Sequence, residues 1–175
     1  MKMIVELASI GKTPKTIEEK FEADDIDLSG ENVSLKGPVV FTGETVQAAS
    51  RAHVRGRLEA DVGLDCVRCL EPVEQHLEVE FDSVFVDAAD ETDRTEVEVT
   101  DEALDESLVE NGLIDTAEVV REQILLAIPD QVFCREDCKG LCPKCGANLN
   151  LIDCKCSDDD IDPRWAALRD IKGSG

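Results

Sequence analysis

Val54-Arg55-Gly56-Arg57-Leu58-Glu59-Ala60-Asp61-Val62-Gly63-Leu64-Asp65 alternates strictly. Val54, Leu58, Ala60, Val62 and Leu64, with Gly56, fall on one side. Arg55, Arg57, Glu59, Asp61 and Asp65, with Gly63, fall on the other. A period of two is that of a strand with one face on a core and one in water. Leu77, Val79, Phe81 and Phe85 alternate with Glu78, Glu80, Asp82 and Val84, which predicts a second such strand. Cys66-Val-Arg-Cys69-Leu-Glu-Pro72 lies between them, so a close cysteine pair sits at the tip of a hairpin.

Outward from this hairpin, the β signal covers about 33–87, and Val39, Val40, Phe41 and Val46 predict a preceding strand. Residues 2–10 read as a short strand followed by a turn at Gly11-Lys-Thr-Pro-Lys15, whereas 17–28 are polar and favour neither state. Residues 87–110 are the most acidic and apolar-poor; only Val97 and Val99 suggest a short strand there, and the segment reads as a partly mobile excursion. A helix is expected over about 115–128, opened by Asp115 and Glu118 as a capping box and stopped by Pro129. Val120, Ile124 and Ile128 recur at helical spacing and should lie on the sheet. Asp162-Pro163 predicts a last short helix anchored by Trp165 and Leu168. The expectation is an α+β fold. An antiparallel β-rich body (1–133) carries one packed helix, and a Cys-rich, zinc-binding segment (134–175) follows.

Charge is unevenly placed. Residues 1–133 carry 32 acids and 11 bases, and 134–175 carry 8 acids and 7 bases. The body's field repels phosphate backbones, argues against nonspecific binding of naked nucleic acid, and permits attraction to basic proteins. A solvated or salt-adapted surface is the bland alternative. The first ten residues are too polar for a signal peptide, and no apolar run approaches the ~20 residues of a membrane span. A cytoplasmic location, without a membrane partner, is therefore expected. Thiols stay reduced there, so eight cysteines point to metal rather than disulfides.

Cys142-Pro-Lys-Cys145-Gly146 has the spacing of a metal knuckle, and Cys154-Lys-Cys156 can close the tetrahedron across a short loop. This is the first expected site. Cys66, Cys69, Cys134 and Cys138 remain as two close pairs. They suit a second tetrahedral site pinning the helix exit to the hairpin tip, or else buried reduced thiols or a redox pair. One or two Zn²⁺ ions are expected. Arg68, Arg135, Lys139, Lys144 and Lys155 lie inside or beside the pairs, where cations offset the negative charge of four thiolates around one Zn²⁺.

Arg51, His53, Arg55 and Arg57 share one face of a strand. They either touch RNA phosphates or pair across strands with Glu78, Glu80 and Asp82. With Arg68, Lys139 and Lys144, the three arginines are the candidate contacts for RNA or a protein partner. His53 and His76 are isolated and read as ordinary surface residues. No nucleophile–base set, phosphate loop or HExxH motif is present, so no catalytic residue and no small-molecule substrate are expected.

Leu64-Asp-Cys66-Val-Arg-Cys69-Leu-Glu-Pro72, Glu122-Gln-Ile-Leu-Leu-Ala-Ile-Pro129, Cys134 to Leu149 and Asp162-Pro-Arg-Trp-Ala-Ala-Leu168, taken in order, resemble the bacterial YceD family. The resemblance runs from about residue 50 to 171. It implies a role in accumulation of large-subunit ribosomal RNA, that is, in ribosome assembly, with no established enzymatic activity. It also implies that histidines can stand near the positions of Cys134 and Cys138, an exchange that a zinc site tolerates. The expected function is a non-enzymatic assembly factor meeting a basic ribosomal protein, large-subunit ribosomal RNA, or both in a ribonucleoprotein. A thiol–disulfide redox protein using Cys-x-x-Cys is the competing class, separable by counting thiols with and without chelator. An iron–sulfur protein is a third, separable by its colour.

Overall fold

The alternating stretch is the central strand of a six-stranded sheet. The computed structural model describes residues 4–48, 51–88, 106–156 and Arg164. Within them the strands are β1 (Ile4–Glu6), β2 (Lys15–Phe21), β3 (Val33–Leu35), β4 (Val39–Ala48), β5 (Arg51–Asp65), β6 (Pro72–Asp87), β7 (Glu106–Val109) and β8 (Leu113–Asp115). Helix α1 follows at Thr116–Ala127. The main sheet runs β2-β4-β5-β6-β7. β5 and β6 pair antiparallel along their length, from Ala52 opposite Phe85 to Asp65 opposite Pro72. β4 covers the first part of the other edge of β5, and β3 continues it, with Leu35 opposite Val62 and Val33 opposite Leu64.

The expected core face is the observed one. Val54, Leu58, Ala60, Val62 and Leu64 are buried, together with Ile17, Phe21, Val39 and Phe41 from the neighbouring strands. Two glycines meet at the middle of this face. Gly43 and Gly56 are cross-strand partners, and the Phe41 ring lies over both: a Cβ on Gly43 would stand 2.8 Å from its Cζ, and one on Gly56 3.0 Å from its Cε2. Phe41 stacks on Phe81 with centroids 5.4 Å apart. The ring thus fills the space that the glycines leave open.

α1 packs on β6 and buries Thr116, Ala117, Val119, Val120 and Ile124. Asp115 caps it by accepting from the Ala117 N–H at 2.9 Å, while Glu118 pairs with Arg121 at 3.2 Å. Ile128, expected on the sheet, lies just past the helix and is half-buried.

Three elements differ from the sequence reading. Within the described part of the first expected strand, Ile4–Glu6 pairs with β8 in a separate two-stranded sheet, and Leu7–Ser9 is a 3₁₀ turn. Residues 15–21, of which 17–21 read as neutral, form β2. The end of the acidic excursion is ordered as β7, which pairs parallel to β6 (Val84 opposite Glu106), so the sheet is mixed. Val97, Val99 and, apart from Arg164, the helix expected from Asp162 lie outside the described residues.

Candidate metal centres

The β5–β6 hairpin turns through Cys66–Glu71. The Cys66 N–H donates to the Glu71 carbonyl and the Leu70 N–H to the Cys66 carbonyl, both at 2.9 Å. Leu70 closes the turn in the left-handed region, with φ 59°. After α1 and Pro129, the chain returns to the tip, where the Val67 N–H donates to the Val132 carbonyl at 2.9 Å. Cys134 and Cys138 thereby reach the hairpin pair. Cys66 Sγ lies 3.8 Å from Cys138 Sγ, and Cys69 Sγ 3.5 Å from Cys134 Sγ.

The second cluster is a separate knuckle. The Gly146 N–H donates to the Cys142 carbonyl and the Cys142 N–H to the Ala147 carbonyl, each at 2.8 Å. Gly146 supplies φ 71° without strain. Cys154 Sγ lies 3.5 Å from Cys145 Sγ and 3.4 Å from Cys142 Sγ, and the Cys156 N–H donates to Cys154 Sγ at 3.3 Å.

Within each set of four, the sulfurs all lie within 4.8 Å of one another. A disulfide would need about 2.05 Å, whereas four sulfurs about 2.3 Å from one tetrahedral ion stand about 3.8 Å apart. The donor set and spacing fit a metal ion with all four positions taken by protein.

Backbone amides prepare one sulfur in each set to ionise. Burial pushes the Cys66 thiol up, but N–H groups of Cys134, Arg68 and Cys69 outweigh it and bring it to about 6. The Cys145 and Lys144 amides bring Cys142 to about 6. Burial and the neighbouring thiols push Cys134 to about 12, and Cys154 and Cys145 do the same to Cys156. In the hairpin set the Asn150 side-chain amide also lowers Cys138, so thiols that ionise readily stand beside raised ones, and metal binding, which needs thiolates, would release the remaining protons.

The two centres touch. The Asn150 side-chain amide, from the second loop, donates to Cys138 Sγ of the first at 3.3 Å, and its oxygen accepts from the Lys139 N–H at 2.8 Å. Leu141 N–H donates to the Arg68 carbonyl at 3.0 Å, and Asn148 donates to Glu71 at 3.2 Å. Sequence reading treats Asn150 as a turn residue. Its role as a donor to a thiolate of the other centre depends on a contact that cysteine spacing does not encode.

The candidate contact residues are largely engaged. Arg51 pairs with Glu106, Arg55 with Glu44 at 2.6 Å, and Arg57 with Glu78 at 2.7 Å. His53 meets Asp82 at 2.9 Å and His76 meets Asp61 at 2.7 Å. Arg68 donates to the Cys138 carbonyl at 2.9 Å and stands over Phe133. Lys139 and Lys144 lie exposed on the cysteine loops.

Fold and site together define a β-rich protein carrying two clusters of four cysteines, each able to hold a metal ion. The chain belongs to the YceD family, described as large ribosomal RNA subunit accumulation protein, which matches residues 54–172. An uncharacterized Mycobacterium tuberculosis protein is 30% identical over 98% of this chain and 82% of its own length. The uncharacterized protein YlbN of Bacillus subtilis is 27% identical over 96% of this chain and 94% of its own. A chloroplastic protein of Arabidopsis thaliana, named large ribosomal RNA subunit accumulation protein YCED homolog 1, is 36% identical over 34% of this chain and 18% of its own. No solved structure matches the chain significantly. Among the described residues, no helix is long and apolar enough to cross a membrane.

Proposed function

We propose that this protein is a non-enzymatic ribosome-assembly factor that supports accumulation of large-subunit ribosomal RNA, with a structural Zn²⁺ in each cysteine cluster. Membership of the family supports the role. The observation that carries the zinc assignment is the convergence of eight thiols in two closed sets. Zinc accepts four thiolates tetrahedrally, and with four protein ligands there is no open position for an activated water. The protein accordingly has no turnover chemistry of its own.

A thiol–disulfide exchanger would also use a sulfur near pKa 6, like that of Cys66 or Cys142. Here each such sulfur stands among three others, the arrangement suited to metal. Native mass spectrometry of the purified chain should give two zinc ions and eight reduced thiols after chelation. A colourless protein excludes an iron–sulfur cluster. For the cellular role, deleting the gene should lower the ratio of large- to small-subunit ribosomal RNA, and unchanged ribosomal RNA would refute it.

A further inference from the structure

The two knuckles differ at one corresponding position. After Cys145 the left-handed residue is Gly146, at φ 71°; after Cys69 it is Leu70, at φ 59°. A leucine in the left-handed region is strained by its Cβ, a strain that glycine avoids. Nor does the leucine recover this by burial, since Leu70 is 62% exposed, with Val67 beside it at 51%. The hairpin knuckle therefore holds an apolar side chain outward against its own folding preference. Strain of this kind is evidence of function when the surroundings offer no structural return.

Leu70 and Val67 form one wall of a groove of about 340 Å³, with Leu64, Ile128, Pro129 and Val132 completing its apolar lining. A second hollow of about 350 Å³ continues from it along the end of α1 and shares Leu64, Ile128 and Pro129. Asp65 and Asp130 stand on the rim, Glu31 joins in the continuation, and no basic residue lines either part. Glu31 meets Arg121 at 3.6 Å. Among the described residues, neither Asp65 nor Asp130 makes an ion pair. The walls are joined by the Val67–Val132 hydrogen bond and by the hairpin thiol cluster, so the groove's shape depends on that cluster being closed.

We infer that this groove binds a segment of a basic partner protein, one that places an apolar side chain against Leu70 and Val67 and cationic residues against Asp65 and Asp130. Apolar contact supplies affinity, and the uncompensated acids select positive charge. A phosphate backbone is repelled by the same rim. This deepens the assembly-factor reading and rests on it for the class of partner.

The test uses the metal-loaded full chain against RNA-free, purified large-subunit ribosomal proteins, with naked large-subunit ribosomal RNA as the parallel probe. At least one basic protein should bind. Leu70→Gly should weaken that binding tenfold or more while keeping two metal ions and an unfolding midpoint no lower than wild type. Asp65→Lys with Asp130→Lys should weaken it further, and chelation should abolish it. Equal binding by Leu70→Gly, binding of naked RNA alone, or a cross-link from the groove to this chain's own C-terminal residues would overturn the inference. So would failure of every ribosomal protein to bind. Ribosomal RNA ratios in the deletion strain keep the two readings apart: a lowered ratio with no effect of Leu70→Gly sinks the groove and leaves the assembly role standing.

Discussion

The Arg68 guanidinium lies 4.5 Å from the centre of the Phe133 ring. From there it donates to the Cys138 carbonyl at 2.9 Å. One side chain on the hairpin tip thus holds both the approach to Cys134 and the backbone of Cys138. Arg68→Ala removes a cation–π contact of roughly 0.5–1 kcal/mol and a hydrogen bond worth about 1 kcal/mol. Urea unfolding of the metal-loaded chain should show a loss of about 1–2 kcal/mol. Arg68→Lys should recover less than half, because an ammonium neither stacks nor forks. Full recovery by lysine would mean that charge alone matters.

The two centres should fail differently. Cys66→Ser opens the cluster that joins hairpin to return loop, so one metal ion and several kcal/mol of global stability should go together. Cys142→Ser should also cost one ion, yet leave the cooperative unfolding of the sheet within about 1 kcal/mol of wild type, since its ligands all lie in one local loop. Metal counts paired with circular-dichroism melts read both. Equal destabilisation by the two variants would contradict this division.

At the crossing of Phe41, Gly43 and Gly56 there is no room for a methyl group. A Cβ on Gly56 would stand 2.5 Å from the Gly43 Cα. Gly56→Ala should therefore destabilise by about 2 kcal/mol or more through overpacking. The thermal midpoint should fall by several degrees. A neutral result would show that β4 and β5 separate more easily than their packing implies.

Burial raises the pKa of Glu19 above its ordinary value, partly opposed by a hydrogen bond with Thr116. One carboxylate oxygen is buried without a partner. A carboxyl whose folded pKa is raised favours the folded state most when protonated. Its contribution is thus full below the unfolded value of about 4.3 and lost as pH rises through the folded value. Glu19→Gln should raise stability at pH 7 by a few tenths to about 1 kcal/mol and flatten the fall in stability as pH rises above the unfolded value. A lower midpoint at pH 7 would show that the charged form is the one the fold requires.

How far the sequence could be read depended on the distance over which each signal acts. β5 and β6 were legible because period two repeats across both, and their register follows from a short turn. β2 was not, since Glu19 occupies a core-facing place between Ile17 and Phe21 and erases the alternation. β7 was hidden because it pairs parallel with β6 from within an acidic run, and no local pattern announces a parallel partner. Spacing marks Cys142, Cys145, Cys154 and Cys156 as one four and leaves two close pairs that suit a second metal site, reduced thiols or a redox pair; the structure brings the sulfurs of those two pairs within 4.8 Å of one another. The left-handed Leu70 was invisible, because glycine is the usual signal for such a turn.

The hairpin cluster spans a long stretch of chain: Cys69 and Cys134 are 65 positions apart, Cys66 and Cys138 are 72. In polymer terms, closing a loop of that size withdraws about 4 kcal/mol of conformational entropy from the unfolded ensemble. A disulfide there would do the same but would answer to the thiol redox poise of its surroundings. A clasp closed by an ion answers instead to the free-ion concentration, each tenfold fall subtracting about 1.4 kcal/mol while the site is saturated. With the proposed Zn²⁺ in that cluster, the persistence of the folded chain would become a measure of metal supply, and scarcity would be felt first as unfolding and degradation.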